Sequence, residues 1–166
     1  MGMNLKRPPI DYIERTRAQY SALGYPVYRW VQNESPPAFV PLEKPLSLSR
    51  VGLIASGGIY VAGQVAFHFS DDISYREIGT DVPAQNLRVT HFAYDLTDAR
   101  SDPNVVFPID TLRSFVREGE IGSLSQNAYT FMGGIYSARK VKEILAPELT
   151  RRVIEDQVDL VLLVPV

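Results

Sequence analysis

The sequence predicts an α/β fold, a Rossmann-like layered domain on a mostly parallel sheet that is incomplete at its C-terminus. Three observations carry that expectation. The apolar runs Val51–Ala55 and Leu160–Val164 read as strands buried on both faces, the pattern of parallel sheets. Helical registers lie between them, at Ile109–Val116 and Val141–Ile154. Strand, crossover helix and strand in alternation imply right-handed βαβ units. The size suits one domain, because 166 residues, 45% apolar and 22% charged, are enough to bury roughly 70% of the unfolded surface.

Asp11 caps a short amphipathic helix with register Ile13, Arg17 and Tyr20, which Gly24 stops. From Tyr25 to Ser49 the chain carries Pro26, Pro36, Pro37, Pro41 and Pro45 with Tyr25, Tyr28, Trp30 and Phe39 interleaved. That composition predicts an extended arm laid across its own domain with the rings buried, in preference to a peptide-docking surface. Residues 1–49 thus form a helix and arm, and residues 50–166 the α/β domain. Gly57-Gly58 ends the first strand at a tight turn or a close backbone approach; with Gly63 it does not make the G-x-G-x-x-G spacing of a dinucleotide loop. A polar excursion follows to Asn86. Leu87, Val89 and His91 then alternate with Arg88 and Thr90, so a strand over Arg88–His91 is expected in the parallel sheet. Pro108 opens a helix with Ile109, Leu112, Phe115 and Val116 on one face, closed by Gly119. Gly133-Gly134 marks a turn, and Pro147 separates two helical registers before the last strand.

Several function classes are excluded by composition. Nineteen acidic against seventeen basic side chains leave a net charge of −2, which recruits neither nucleic acid nor an anionic membrane. No apolar run approaches the roughly 20 residues of a spanning helix, and no signal core opens the chain, so a cytoplasmic protein is expected. The chain has no cysteine, hence no thiol nucleophile or Cys-ligated metal. His68, Asp71 and Asp72 lack a second cluster to complete a metal shell and read as solvated loop charges; no metal is expected.

Eight short motifs then fall in order. They are Leu53-Ile54 with Gly57-Gly58, Asp72-x-Ser74-Tyr75-Arg76-x-Ile78, His91-x-x-Tyr94-Asp95, Asp102-x-Asn104-Val105-Val106-Phe107-Pro108, Glu118-Gly119-x-Ile121-Gly122-Ser123-Leu124, Phe131-Met132-Gly133, Ala146-Pro147-Glu148, and Val158-Asp159-x-Val161-Leu162-Leu163-x-Pro165-Val166. In this combination the chain resembles the selenoprotein B subunits of the glycine, sarcosine, betaine and D-proline reductases, most of all the short D-proline reductase type. The Tyr28-x-Trp30-Val31 arm is similar too. The resemblance implies reductive cleavage of a carbon–nitrogen bond in a small amine or amino acid, by a selenol or thiol acting on a substrate activated by a pyruvoyl group on a partner subunit. No cofactor is implied on this chain, and an oligomer is left open. The family's selenocysteine or cysteine lies beyond the strand ending at Val166, so the expectation is a longer product whose UGA selenocysteine codon has been read as a stop, with a partial record, a degraded gene or a genuine terminus as the alternatives. The 166 residues alone are expected to be inactive. The alternative is a non-catalytic binding or scaffold protein that retains the reductase fold.

Candidate site residues follow from the same motifs. Gly57 and Gly58 allow close backbone approach. Arg76 suits a bidentate pair with a substrate carboxylate, supported by Ser74 and Tyr75, or pins its own loop to the domain. His91 with Asp95 suits an acid/base pair that protonates a leaving amine, or a hydrogen-bonded structural histidine. Asn104 is either a turn residue or a polar pocket group. These groups are expected to meet near the carboxyl ends of the strands, where α/β sheets build their sites.

Overall fold

The structure, a computed structural model, describes residues 10–26, 31–69 and 71–166; Tyr28 and Trp30 of the arm lie outside them. The chain divides into two compact units, Met1–Ala38 and Phe39–Val166. In the first, α1 (Tyr12–Ala22) starts where Asp11 accepts the Glu14 N–H at 3.0 Å. It ends at Gly24 (φ +74°), past which the Tyr25 N–H donates to the Tyr20 carbonyl at 2.9 Å. The predicted helix forms, but it buries no side chain, so it is not amphipathic in use; Arg17 interrupts the stripe between Ile13 and Tyr20. Nor are the arm's described rings buried, since Tyr25 is 61% and Phe39 89% exposed.

The second unit begins before the expected residue 50 because residues 44–49 are tied to the domain. Lys44 pairs with Asp159 at 2.7 Å, and the Gly122 N–H donates to the carbonyls of Leu46 and Ser49. Its sheet is organised around β1 (Arg50–Ala55). Along one edge, Val51–Ala55 runs parallel and in register with Leu160–Val164, which is β7. Along the other lie β5 (Ser123–Leu124) and, two residues on, β6 (Asn127–Phe131), both parallel to β1. Outside β6 is β3 (Tyr75–Gly79), antiparallel. The mostly parallel α/β sheet is therefore present, with one antiparallel edge strand.

Alternation along β1 sends its side chains to two layers. Val51, Leu53 and Ala55 pack with Ile109 and Leu112 of α3 (Ile109–Glu118), with Phe107, and with Ala99 of α2 (Thr97–Ser101). Ile54 packs on the other side, with Tyr129, Leu145 and Leu149. Each fully buried Val, Leu, Ile or Phe among them contributes roughly 1.5–3 kcal/mol over leaving it in water. The second layer is a helical run made of α4 (Ala138–Lys140), a π-helical turn Val141–Leu145, and α5 (Ala146–Glu155). The two expected registers follow without a break, and Pro147 sits in the first turn of α5 as expected, the wide turn before it accommodating a residue with no N–H to offer the Glu143 carbonyl.

One expected strand placement is corrected. β4 (Leu87–Val89) is a strand, but it pairs antiparallel with β2 (Ile59–Val61) in a separate ribbon. The cause is Gly58, whose left-handed backbone (φ +70°) turns the chain out of the main sheet. β7 pairs with β1 in parallel, as expected, and its Leu160, Leu162 and Leu163 are exposed, the uncovered apolar surface that the sequence reading expects of this strand.

Gly58 and Gly119 both have positive φ, with different surroundings. A Cβ on Gly119 meets nothing within 4 Å, whereas one on Gly58 falls 1.9 Å from the Thr90 carbonyl oxygen. Gly119→Ala is expected to cost about 1 kcal/mol in urea unfolding, the ordinary left-handed penalty. Gly58→Ala is expected to cost about 4 kcal/mol or to abolish the cooperative transition, because backbone must move. Equal losses at the two positions would contradict the placement of Thr90 over Gly58.

Candidate functional site

The carboxyl ends of β1, β6 and β7 are joined by Ser56. Its N–H donates to the Val164 carbonyl at 3.0 Å, its Oγ accepts the Val166 N–H at 2.9 Å, and its carbonyl accepts the Gly133 N–H at 2.9 Å. Only a glycine fits easily at 133, since a Cβ there meets Ser56 at 3.2 Å. Gly57 packs against Val106 and Val166, and its carbonyl accepts the Tyr94 hydroxyl at 2.9 Å. Gly58 exchanges hydrogen bonds with its neighbours, donating to the Phe131 carbonyl and accepting from the Thr90 N–H. That pair holds the start of the 90–96 loop against the strand ends, so the glycine pair, His91 and Tyr94 are brought together.

His91 is 5% exposed, with its ring 4.8 Å from that of Tyr94 and stacked on Phe92 at 5.7 Å. The Ala93 N–H donates to its Nδ1 at 3.0 Å, so the proton of the neutral ring sits on Nε2. Nε2 is buried and has no hydrogen-bond partner among the described residues. A donor left in this state costs roughly 1–3 kcal/mol. Burial also pushes the imidazole down to about 4 from its usual 6.5, and it raises the Tyr94 hydroxyl to about 12. Both side chains are thus neutral hydrogen-bond donors near pH 7.

The other candidates are placed differently. Neither ring nitrogen of His91 bonds to Asp95, whose carboxylate accepts the Thr97 N–H at 3.0 Å and the Thr97 hydroxyl at 2.7 Å at the start of α2. Ser74, Tyr75 and Arg76 reach the same end of the sheet, since Tyr75 pairs with Phe131 and Arg76 with Thr130 at the end of β6. The Arg76 guanidinium, however, donates to the carbonyls of Val65 (2.7 Å), Tyr75 (2.9 Å) and Ala66 (3.4 Å) and to the Ser74 hydroxyl (2.9 Å), and lies over the Phe67 ring. It holds residues 65–67 to β3. Ser74 also donates through its hydroxyl to Asp72, whose other oxygen accepts the His68 N–H. Tyr75 faces α5, donating to Glu148 and accepting from Arg152. Asn104 accepts the Asp110 N–H at 2.9 Å and donates to Asp102 and Asp110, which caps α3.

Sequence reasoning missed Ser56 and the Tyr75–Glu148–Arg152 group. Ser56 carries no signal beyond its place before two glycines, and the second group joins elements 73 residues apart. Among the described residues no group of three His, Cys, Asp or Glu side chains is placed to hold a metal, and no helix is long and apolar enough to cross a membrane.

The site is thus built from the ordered motifs at the ends of three parallel strands. The family model for glycine/sarcosine/betaine reductase selenoprotein B matches residues 33–166. The chain belongs to that family. It is 35% identical to the D-proline reductase subunit gamma of Acetoanaerobium sticklandii over 128 residues, 77% of this chain and 53% of that subunit. It is 31% identical to the glycine reductase complex component B subunit gamma of Symbiobacterium thermophilum, covering 67% of this chain and 28% of that one. With the sarcosine reductase complex component B subunit beta of Peptoclostridium acidaminophilum it shares 30% identity, covering 74% and 29%. The chain therefore spans about half the length of the D-proline reductase subunit and less than a third of the other two. No solved structure matches.

Two outcomes test the reductase-family site. At pH above 6.5 His91 is neutral folded and unfolded. As pH falls from 6.5 towards 4 only the unfolded chain takes up this proton, so stability drops, by up to about 3 kcal/mol. His91→Leu should remove that part of the acid sensitivity in urea titrations at pH 7 and pH 4.5; an unchanged acid slope would contradict the buried neutral ring. Arg76→Met should speed amide exchange of residues 65–67 by an order of magnitude or more, about 1.4 kcal/mol of local stability, while β1 amides stay protected. Uniform loss of protection across the sheet would assign Arg76 a global role instead.

Proposed function

We propose that the chain is the substrate-facing part of a B-type amino-acid reductase subunit, acting in the reductive C–N cleavage of D-proline, glycine, sarcosine or betaine. One observation carries this reading: Gly57-Gly58 and the His91–Tyr94 loop meet at the carboxyl ends of the parallel strands, where α/β folds place ligands. The family resemblance supplies the reaction class, in which the α-carbon is attacked by a selenol or thiol while the amine is activated by a pyruvoyl group on a partner subunit. The 166 residues contain no cysteine, so the nucleophile comes from outside them. What these residues contribute is a pre-formed floor: the backbone of residues 56–58 held by Tyr94 and Thr90, with His91 beside it. A pyruvoyl-bearing partner and a cytoplasmic location belong to the same proposal.

The absence of cysteine also favours a second reading, a binding or scaffold protein that keeps the fold without the chemistry. With a dithiol donor, the purified chain alone is expected to turn over neither D-proline nor glycine. Turnover in the absence of partner subunits would overturn a selenol- or thiol-based reading. Added to the pyruvoyl subunit and a source of the selenol-bearing segment, the chain is expected to support amine release. Failure there, with binding to those subunits intact, would put the scaffold reading ahead.

A further inference from the structure

His91 presents a buried N–H that nothing among the described residues accepts. Its Nδ1 is occupied by the Ala93 N–H, which leaves the proton on Nε2, and Nε2 has no partner. The ring is held in place: Phe92 stacks on it, Tyr94 lies 4.8 Å away with its hydroxyl anchored on the Gly57 carbonyl, and the missing side chain of Gly58 leaves room for the carbonyl of the preceding Thr90. A donor fixed in this way, beside the strand ends, is pre-organised for an acceptor that arrives with a ligand.

We propose that the His91 Nε2–H binds the carboxylate of the amino-acid substrate. This deepens the reductase reading above and rests on it. The relatives are named for D-proline, glycine, sarcosine and betaine. Across these four the nitrogen runs from primary through secondary to quaternary, and betaine has no N–H to offer. The carboxylate is the hydrogen-bonding group that all four share. Arg76, which the sequence offers as a carboxylate partner, has its guanidinium committed to Val65, Ala66, Ser74 and Tyr75. His91 therefore acts as a neutral donor that positions substrate, in place of the acid/base role expected for a His91–Asp95 pair; Asp95 is bonded to Thr97 instead.

The test is long-range ¹H–¹⁵N NMR of the imidazoles in the ¹⁵N-labelled full chain, titrated with D-proline, betaine and pyrrolidine, the last matching D-proline without its carboxylate. The expected result is an Nε2–H tautomer in the free chain, a saturable downfield shift of that proton with D-proline and with betaine, and none with pyrrolidine. An Nδ1–H tautomer, an equal shift with pyrrolidine, or a bound-water cross-peak to Nε2–H that persists at saturating D-proline would each overturn the proposal. D-proline shifting signals elsewhere while His91 stays unmoved would remove His91 and leave the amino-acid reading standing. No response to either amino acid anywhere in the chain would overturn both. His91→Gln, which retains an N–H donor, should bind D-proline more tightly than His91→Leu; equal affinities in the two folded variants count against the proposal.

Discussion

The domain depends on β1 being hydrogen-bonded along both edges. Five consecutive residues, Val51–Ala55, are matched in register by Leu160–Val164 on one side, and β5 and β6 share the other. A parallel strand so enclosed needs apolar residues on both faces, because helices cover both. That requirement accounts for the layers: α3 with Phe107 on one face, and the helical run around Leu145 and Leu149 on the other. It also accounts for where the chain must leave the sheet. Three strands running the same way end together, and Ser56 ties their ends with bonds to Val164, Val166 and Gly133.

The site is a consequence of that convergence. Gly58 takes the left-handed conformation that carries the chain out of the sheet, and its lack of a side chain lets Thr90 approach within bonding distance. The same contact positions His91 and Tyr94 over the strand ends. Burial keeps both neutral, for Tyr94 against the opposing pull of the Arg100 charge. Elsewhere the polar residues of the motifs are used in construction. Arg76 fastens a loop, Asn104 caps α3, and Asp95 bonds Thr97 at the start of α2.

Membership of the selenoprotein B family fits this division of labour. Several matching motifs hold strand ends, turns and caps in place, and only a few of their side chains are left with bonding capacity to spare. A chain that covers 53% of the D-proline reductase subunit holds a layered α/β unit with such a floor. The chemistry proposed for it draws on groups these residues do not contain.

What the sequence by itself determined is what local patterning can encode. The apolar runs of β1 and β7 marked parallel strands, the spacing of Ile109, Leu112 and Val116 with Gly119 marked α3, and Asp11 with Gly24 bounded α1. Eight ordered motifs carried the family, and the glycine pair with His91 lay at the strand ends as expected. Tertiary structure decided the rest, because it depends on which partners meet. Leu87–Val89 has the alternation of any strand, and only the turn at Gly58 assigns it to β2 in an antiparallel ribbon. The LVLLV run of β7 reads as a parallel strand, and only the assembled sheet decides that its neighbour is β1, residue for residue from Val51 to Ala55. Arg76 and His91 both carry donors suited to a carboxylate. The carbonyls of Val65 and Ala66 occupy one, and the Ala93 N–H leaves the other with a proton on Nε2 and nothing to receive it.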